Sequence, residues 1–158
     1  MKASIPLLAL GLLLCAGLSS PSLAGDRQWA LDQPELPELL VMGGVVSAAP
    51  GVRKQSLVFD GDSLLQVKDS GAATHDENGF TCAVWVNPYA TNSDQQMIAA
   101  KNRYSLNERE WGVMIDKDGR YRVYVRQAGW RTLDSDVLPT IGRLQHVAVA
   151  ISDKAATM

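Results

Sequence analysis

The sequence is poor in the residues that do chemistry in pairs. Of its 158 residues only 2 are cysteine and 2 are histidine. Cys15 lies in an apolar N-terminal run, which leaves Cys82 without a partner for an internal disulfide. Stability must therefore come from a packed core. Two isolated histidines, His75 and His146, cannot build a zinc site, and neither a Gly-x-Ser-x-Gly elbow nor a phosphate-binding glycine loop is present. Excess positive charge is also missing: 15 basic side chains stand against 17 acidic ones, a formal net charge of −2. Nucleic-acid-binding domains are normally strongly basic, so that partner class is excluded. No fixed-period repeat marks a solenoid. Beyond the N-terminal run, no apolar stretch approaches the roughly 20 residues a membrane span needs.

That run is the first positive signal. Residues 5–18, IPLLALGLLLCAGL, follow Lys2 and precede the small-x-small site Ser22-Leu23-Ala24. This is the pattern of a secretory signal peptide over residues 1–24. Leu14 stands before Cys15 where a lipidated N-terminus would need a small residue. The chain from residue 25 is thus expected to be secreted, periplasmic or at the cell surface. Its charge is uneven: residues 25–100 carry a net −6 and residues 101–158 a net +3. Two solvated surfaces of different sign are the ordinary consequence.

The remainder reads as short strands separated by turn residues. Residues 28–32 are a brief apolar piece before Pro34 and Pro37, and residues 35–42 have room for one or two helical turns. Residues 43–47, GGVVS, predict a short strand ended by Pro50-Gly51. In residues 56–67, SLVFDGDSLLQV, two β-rich runs flank Asp60-Gly61, a hairpin signal. Residues 70–78 are polar and form a loop. Residues 96–101, QMIAAK, are a further short run, weakened as a strand by its Ala pair. The clearest hairpin joins WGVMID (111–116) to YRVYV (121–125) through Lys117-Asp118-Gly119-Arg120. GWRTL (129–133) and LQHVAVAI (144–151) follow. Even spacing of short strands predicts an all-β, antiparallel jelly-roll sandwich.

One stretch fixes which faces are buried. In NGFTCAVWVNP (78–88), Phe80, Cys82, Val84 and Val86 alternate with Thr81, Ala83, Trp85 and Asn87, so the two sets point to opposite faces. The first set belongs in the core, with Cys82 as a small hydrophobe rather than a nucleophile. Trp85 on the other face is expected to pack under a neighbouring loop. In residues 144–151, His146 shares a face with Leu144, Ala148 and Ala150, opposite Gln145, Val147 and Val149, and reads as a structural group.

The order SLVFDGDSLLQV, NGFTCAVWVNP, MIAAK (97–101), WGVMIDKDGRYRVYV (111–125), LQHVAVAI resembles the laminin-G-like branch of the concanavalin A-like lectin/glucanase jelly rolls, in its bacterial secreted form. Gln145 stands where that family usually has an aromatic beside the histidine. The strands the family places later are missing after Met158, so residues 25–158 are expected to form a sandwich lacking its final strands. The resemblance implies a binding module or a glucanase. A retaining glucanase of this class carries Glu-x-Asp-x-x-Glu on one strand, placing two carboxyls about 5–5.5 Å apart. That pattern is absent, and the chain is not expected to be an enzyme.

The best binding candidate is the outer face of the second hairpin. Tyr121, Val123 and Val125 form one face; Arg122, Tyr124 and Arg126 form the other, with Trp130 and Arg131 following. Arginines beside aromatics suit sugars and their carboxylate or sulfate groups, although a plain polar outer sheet face looks the same. The family often binds calcium at a rim, and Asp60, Asp62, Asp116 and Asp118 sit at turns, where aspartate is common for backbone reasons alone. The functional expectation is a non-catalytic, exported module for glycans or other extracellular, cell-surface ligands. An accessory domain of a larger secreted enzyme such as a glycoside hydrolase, and a structural or adhesive module without a small ligand, remain the alternatives.

Overall fold

A computed structural model describes residues 9–11, 28–33, 37–68, 79–91, 94–103, 106–126, 128–152 and 156–158. The polar run 70–78, His75 included, lies outside the described residues, as does most of the expected signal peptide. Among the described residues the structure is all β, with every paired strand antiparallel. In chain order the strands are β1 (Ala9–Gly11), β2 (Leu39–Met42), β3 (Val46–Pro50), β4 (Gln55–Phe59), β5 (Leu64–Val67), β6 (Phe80–Asn87), β7 (Gln96–Arg103), β8 (Glu108–Ile115), β9 (Tyr121–Arg126), β10 (Trp130–Asp134), β11 (Gln145–Ile151) and β12 (Ala156–Thr157). They form a six-stranded sheet in the order β12-β11-β6-β1-β4-β3, a four-stranded sheet β10-β9-β8-β7, and a β2-β5 ribbon.

The main core lies between the two larger sheets. Val84 and Val86 of β6 and Val147, Val149 and Ile151 of β11 meet Ile98, Trp111, Val113, Ile115, Tyr121, Val123 and Val125 of the four-stranded sheet. Phe80 stacks on Trp111 with ring centroids 4.7 Å apart. The alternation read from NGFTCAVWVNP holds: Val84 and Val86 are buried and Cys82 packs against the core. Burial pushes the Cys82 thiol up to about 11, so at neutral pH almost no thiolate exists. A second cluster, Leu31, Leu39, Leu57 and Phe59, lies under the β2-β5 ribbon.

Three expectations are corrected. Residues 35–42 do not build a helix where they are described; Pro37 and Glu38 turn into strand β2. The strand expected over residues 43–47 lies instead at Val46–Pro50, so Pro50 is its last residue, on the outermost strand of the six-stranded sheet, where proline is tolerated. The Asp60-Gly61 turn does not close a hairpin: β4 pairs with β3 and β1, whereas β5 pairs with β2. The reason is the Asp60 carboxylate. It accepts hydrogen bonds from the N–H groups of Val45 (2.7 Å), Asp62 (3.1 Å) and Ser63 (2.9 Å). Anchored to the segment before β3, the turn becomes a corner that sends the chain from one sheet into another. Residues 96–103, despite their alanines, are a full strand, held by β8 on one side with two register shifts.

The Asp60 carboxyl is held below its ordinary value of 3.8, chiefly by the Val45 N–H and then by Ser63. A depressed carboxyl contributes stability that is complete above its unfolded pKa and is lost as pH falls through the lower folded one. Asp60→Asn should therefore be less stable than wild type at neutral pH, and the gap should narrow as pH drops below 3.8. Urea unfolding at both pH values measures this; a gap that stays constant would remove Asp60 from the corner's electrostatics.

Candidate functional site

The site candidate is the outer face of the four-stranded sheet, built from the β8-β9-β10 ladder. The β8-β9 hairpin is as expected, with Gly112 across from Tyr124 and Met114 across from Arg122. Its turn is closed by Asp116 N–H to Arg120 C=O at 2.8 Å and Gly119 N–H to Asp116 C=O at 2.7 Å, with Gly119 at φ 73°. That left-handed conformation suits glycine. Strand β10 then sets Trp130 beside Arg126, Thr132 beside Tyr124 and Asp134 beside Arg122.

Tyr124 is only 8% exposed although it lies on the outer face. The space comes from Gly112, where an added Cβ would stand 2.5 Å from two Tyr124 ring carbons. The ring thus lies directly over the β8 backbone. Trp130 meets it edge-on, with centroids 5.6 Å apart and planes at 70°. Asn102 on β7 donates to the Tyr124 hydroxyl at 3.0 Å. Burial raises the Tyr124 pKa, and the Asn102 hydrogen bond and the Arg109 charge oppose it.

Trp130 itself is half exposed, at 50%. Two guanidiniums flank it, Arg109 at 5.5 Å and Arg126 at 5.7 Å from the ring centroid. Asn107 gathers them. Its side-chain oxygen accepts from Arg109 at 3.2 Å and its carbonyl from Arg126 at 3.1 Å. Its φ of 56° is left-handed, which Asn tolerates better than most residues.

Of the five residues expected to bind ligand, Tyr124, Arg126 and Trp130 come together here. Arg122 is on the same face but is committed elsewhere. It donates to the buried Asp116 carboxylate and makes a two-pronged bond to Asp134, at 2.5 and 2.8 Å. The Asp134 hydrogen bond and the desolvation-opposed charges of Asp116 and Asp134 raise the Arg122 pKa, and Arg122 in turn holds the Asp134 carboxyl low. Arg131 pairs with Val125 and so lies on the opposite face from Trp130. Arg109, Asn107 and Asn102 are the residues the sequence did not flag. Arg109 stands in the run Glu108-Arg109-Glu110, which reads as a solvated edge, and only the β8-β9-β10 ladder brings it near Trp130.

Two of the four turn aspartates already have protein partners. Asp60 accepts from three N–H groups, and Asp116 from Arg122 and, at 2.8 Å, from Gln95. Among the described residues no three His, Cys, Asp or Glu side chains are grouped as a metal would require. No helix there is long and apolar enough to cross a membrane.

A sandwich of antiparallel sheets invites comparison with known families. The model of the concanavalin A-like lectin/glucanases superfamily matches residues 59–158. The chain belongs to that superfamily. No curated protein and no solved structure matches it. In this lectin/glucanase domain the match begins at Phe59 and takes in every strand that builds the Trp130 face.

Gly112→Ala should force the Tyr124 ring off β8. The expected cost is about 1–3 kcal/mol, as for overpacking elsewhere, with a change in near-ultraviolet dichroism from Tyr124 and Trp130. Denaturant unfolding and the dichroism spectrum test both. An unchanged spectrum would mean that the ring does not rest on Gly112.

Proposed function

We propose that this lectin/glucanase-superfamily domain is an exported, non-catalytic glycan-binding module whose ligand carries carboxylate or sulfate groups. The observation that carries the reading is a half-exposed Trp130 held between Arg109 and Arg126 on one sheet face. A pyranose ring stacks on the indole, and an acidic substituent takes a guanidinium as a charge-assisted, two-pronged partner. Tyr124, Asn102 and Asn107 hold these groups in place. The absence of a Glu-x-Asp-x-x-Glu pattern in the sequence supports binding without hydrolysis.

An array of acidic and neutral glycans, probed with the full chain, tests this. Trp130→Ala should weaken binding about tenfold or more, the equivalent of roughly 1.4 kcal/mol. Arg126→Ala should weaken acidic glycans more than neutral ones, and added salt should mimic it. Absence of saturable glycan binding, or identical binding by Trp130→Ala, would overturn the reading in favour of a structural or adhesive module.

A further inference from the structure

One end of the sandwich carries aliphatic side chains that the fold turns outward. Residues 135–144 join β10 to β11 and all are described. Among them Val137 is 64% exposed, Leu138 54% and Ile141 48%. No charged residue falls between Val137 and Gly142. Tyr89, also exposed, stands beside this loop, because the Gly142 N–H donates to the carbonyl of Pro88 at 2.7 Å.

Hydrogen bonds hold the loop in this shape. Gln145, the first residue of β11, is its clamp. The Gln145 side-chain oxygen accepts from the Thr140 N–H at 2.6 Å and from the Tyr121 hydroxyl at 3.1 Å, and its amide donates to the Leu138 carbonyl at 3.4 Å. The Ser135 N–H donates to the Tyr121 carbonyl, the Val137 N–H to the Ser135 hydroxyl and the Arg143 N–H to the Thr140 carbonyl. Pro139 has no N–H to satisfy. Amides bonded within the protein lose little when water is taken away, which is what a lipid surface demands. A protein partner would instead be expected to complete hydrogen bonds across the contact, and these amides have already given theirs.

Charge decides which lipid surface fits. The ends of the loop and the turns beside it carry Lys117, Arg120 and Arg143 together with Asp94, Asp118 and Asp136, all exposed. Arg120 donates to the Ser135 carbonyl at 3.4 Å, which sets the β8-β9 turn against the loop. The two signs balance. Such a ring matches headgroups that carry both a phosphate and an ammonium; a purely anionic surface would call for an excess of Lys and Arg.

We propose that the 135–144 loop, with Tyr89, is a docking tip for the surface of a zwitterionic phospholipid bilayer. Val137, Leu138 and Ile141 enter the boundary between headgroups and acyl chains, and Tyr89 lies at headgroup level. Trp130 begins β10 and the loop follows its end, about 13 Å away along the strand, so docking leaves the Trp130 face open.

Flotation of the full chain with phosphatidylcholine vesicles tests this. Every variant keeps the apolar N-terminal run, so differences between variants report the loop. Leu138→Asp with Ile141→Asp should weaken vesicle binding about tenfold or more. Its melting temperature should not change, since both residues are exposed. Added phosphatidylglycerol, or about 0.5 M salt, should change wild-type binding little. Leu138→Trp, read with vesicles brominated on their acyl chains, should show quenching beyond that of wild type, which reports the tip itself in lipid. Equal flotation of wild type and the double variant, or quenching of Leu138→Trp no greater than wild type, would overturn the proposal. Binding confined to vesicles with phosphatidylglycerol would overturn it too. So would a concentration-dependent dimer in sedimentation velocity that the double variant loses, because the tip would then belong to a second copy of this chain.

Discussion

Strand β9 turns only one of its two faces into the sandwich core, and the rest of the site depends on which one. Tyr121, Val123 and Val125 are each less than 5% exposed and fill the middle of the sandwich. Removing a side chain of that kind costs about 2–5 kcal/mol, far more than any surface contact returns. The register is therefore set by the core, since a one-residue slip would bring Arg122 and Arg126 inside. With the core face fixed, Arg122, Tyr124 and Arg126 have no choice but the outer face. The ladder to β10 then fixes Trp130 beside Arg126. The outer-face side chains of this sheet are placed by core packing on the other face of the same strand.

The outer face also divides its arginines by task. Arg122 sits between Asp116, which is fully buried, and Asp134, which is not. A buried carboxylate needs partners for both oxygens, and Asp116 has Arg122 on one and Gln95 on the other. Losing Arg122 would strand that charge, so its guanidinium is not free to leave for a ligand. Arg126 donates to the Asn107 carbonyl, lies over Trp130 and is exposed. The two arginines share a strand, a face and a spacing of four residues; the aspartate beneath one of them makes the difference.

Much of this was legible before the structure. The all-β class, the 111–125 hairpin, the inward set of NGFTCAVWVNP and the outward position of Tyr124, Arg126 and Trp130 follow from period-two alternation and turn chemistry, which act over a few residues. What was not legible depends on long-range register. Asp60-Gly61 carries a good local hairpin signal, but a bond from Val45, fifteen residues earlier, turns it into a corner. Arg109 reads as part of a charged edge until β7 sets Asn102 across from it and β9 and β10 bring Trp130 near. Nothing near Tyr124 in the sequence announces Gly112; the vacancy under the ring exists only across a ladder. Arg131 shows the reverse error, since adjacency to Trp130 in sequence means the opposite face in a strand.

On the proposed glycan-binding reading, the Trp130 cradle favours one kind of ligand over another on energetic grounds. With Arg109 and Arg126 both within 6 Å of the ring centroid, the indole already has partners. At an exposed site each cation-π contact is worth about 0.5–1 kcal/mol. A neutral sugar that displaces a guanidinium from the ring trades one weak contact for another and gains little. An acidic sugar does not face that exchange. Its carboxylate or sulfate offers the displaced guanidinium a charged hydrogen bond worth about 1.5–3 kcal/mol, while the ring face it vacates receives the pyranose. On the proposed reading the two events reinforce each other, and an anionic substituent is what frees the Trp130 ring from its arginines.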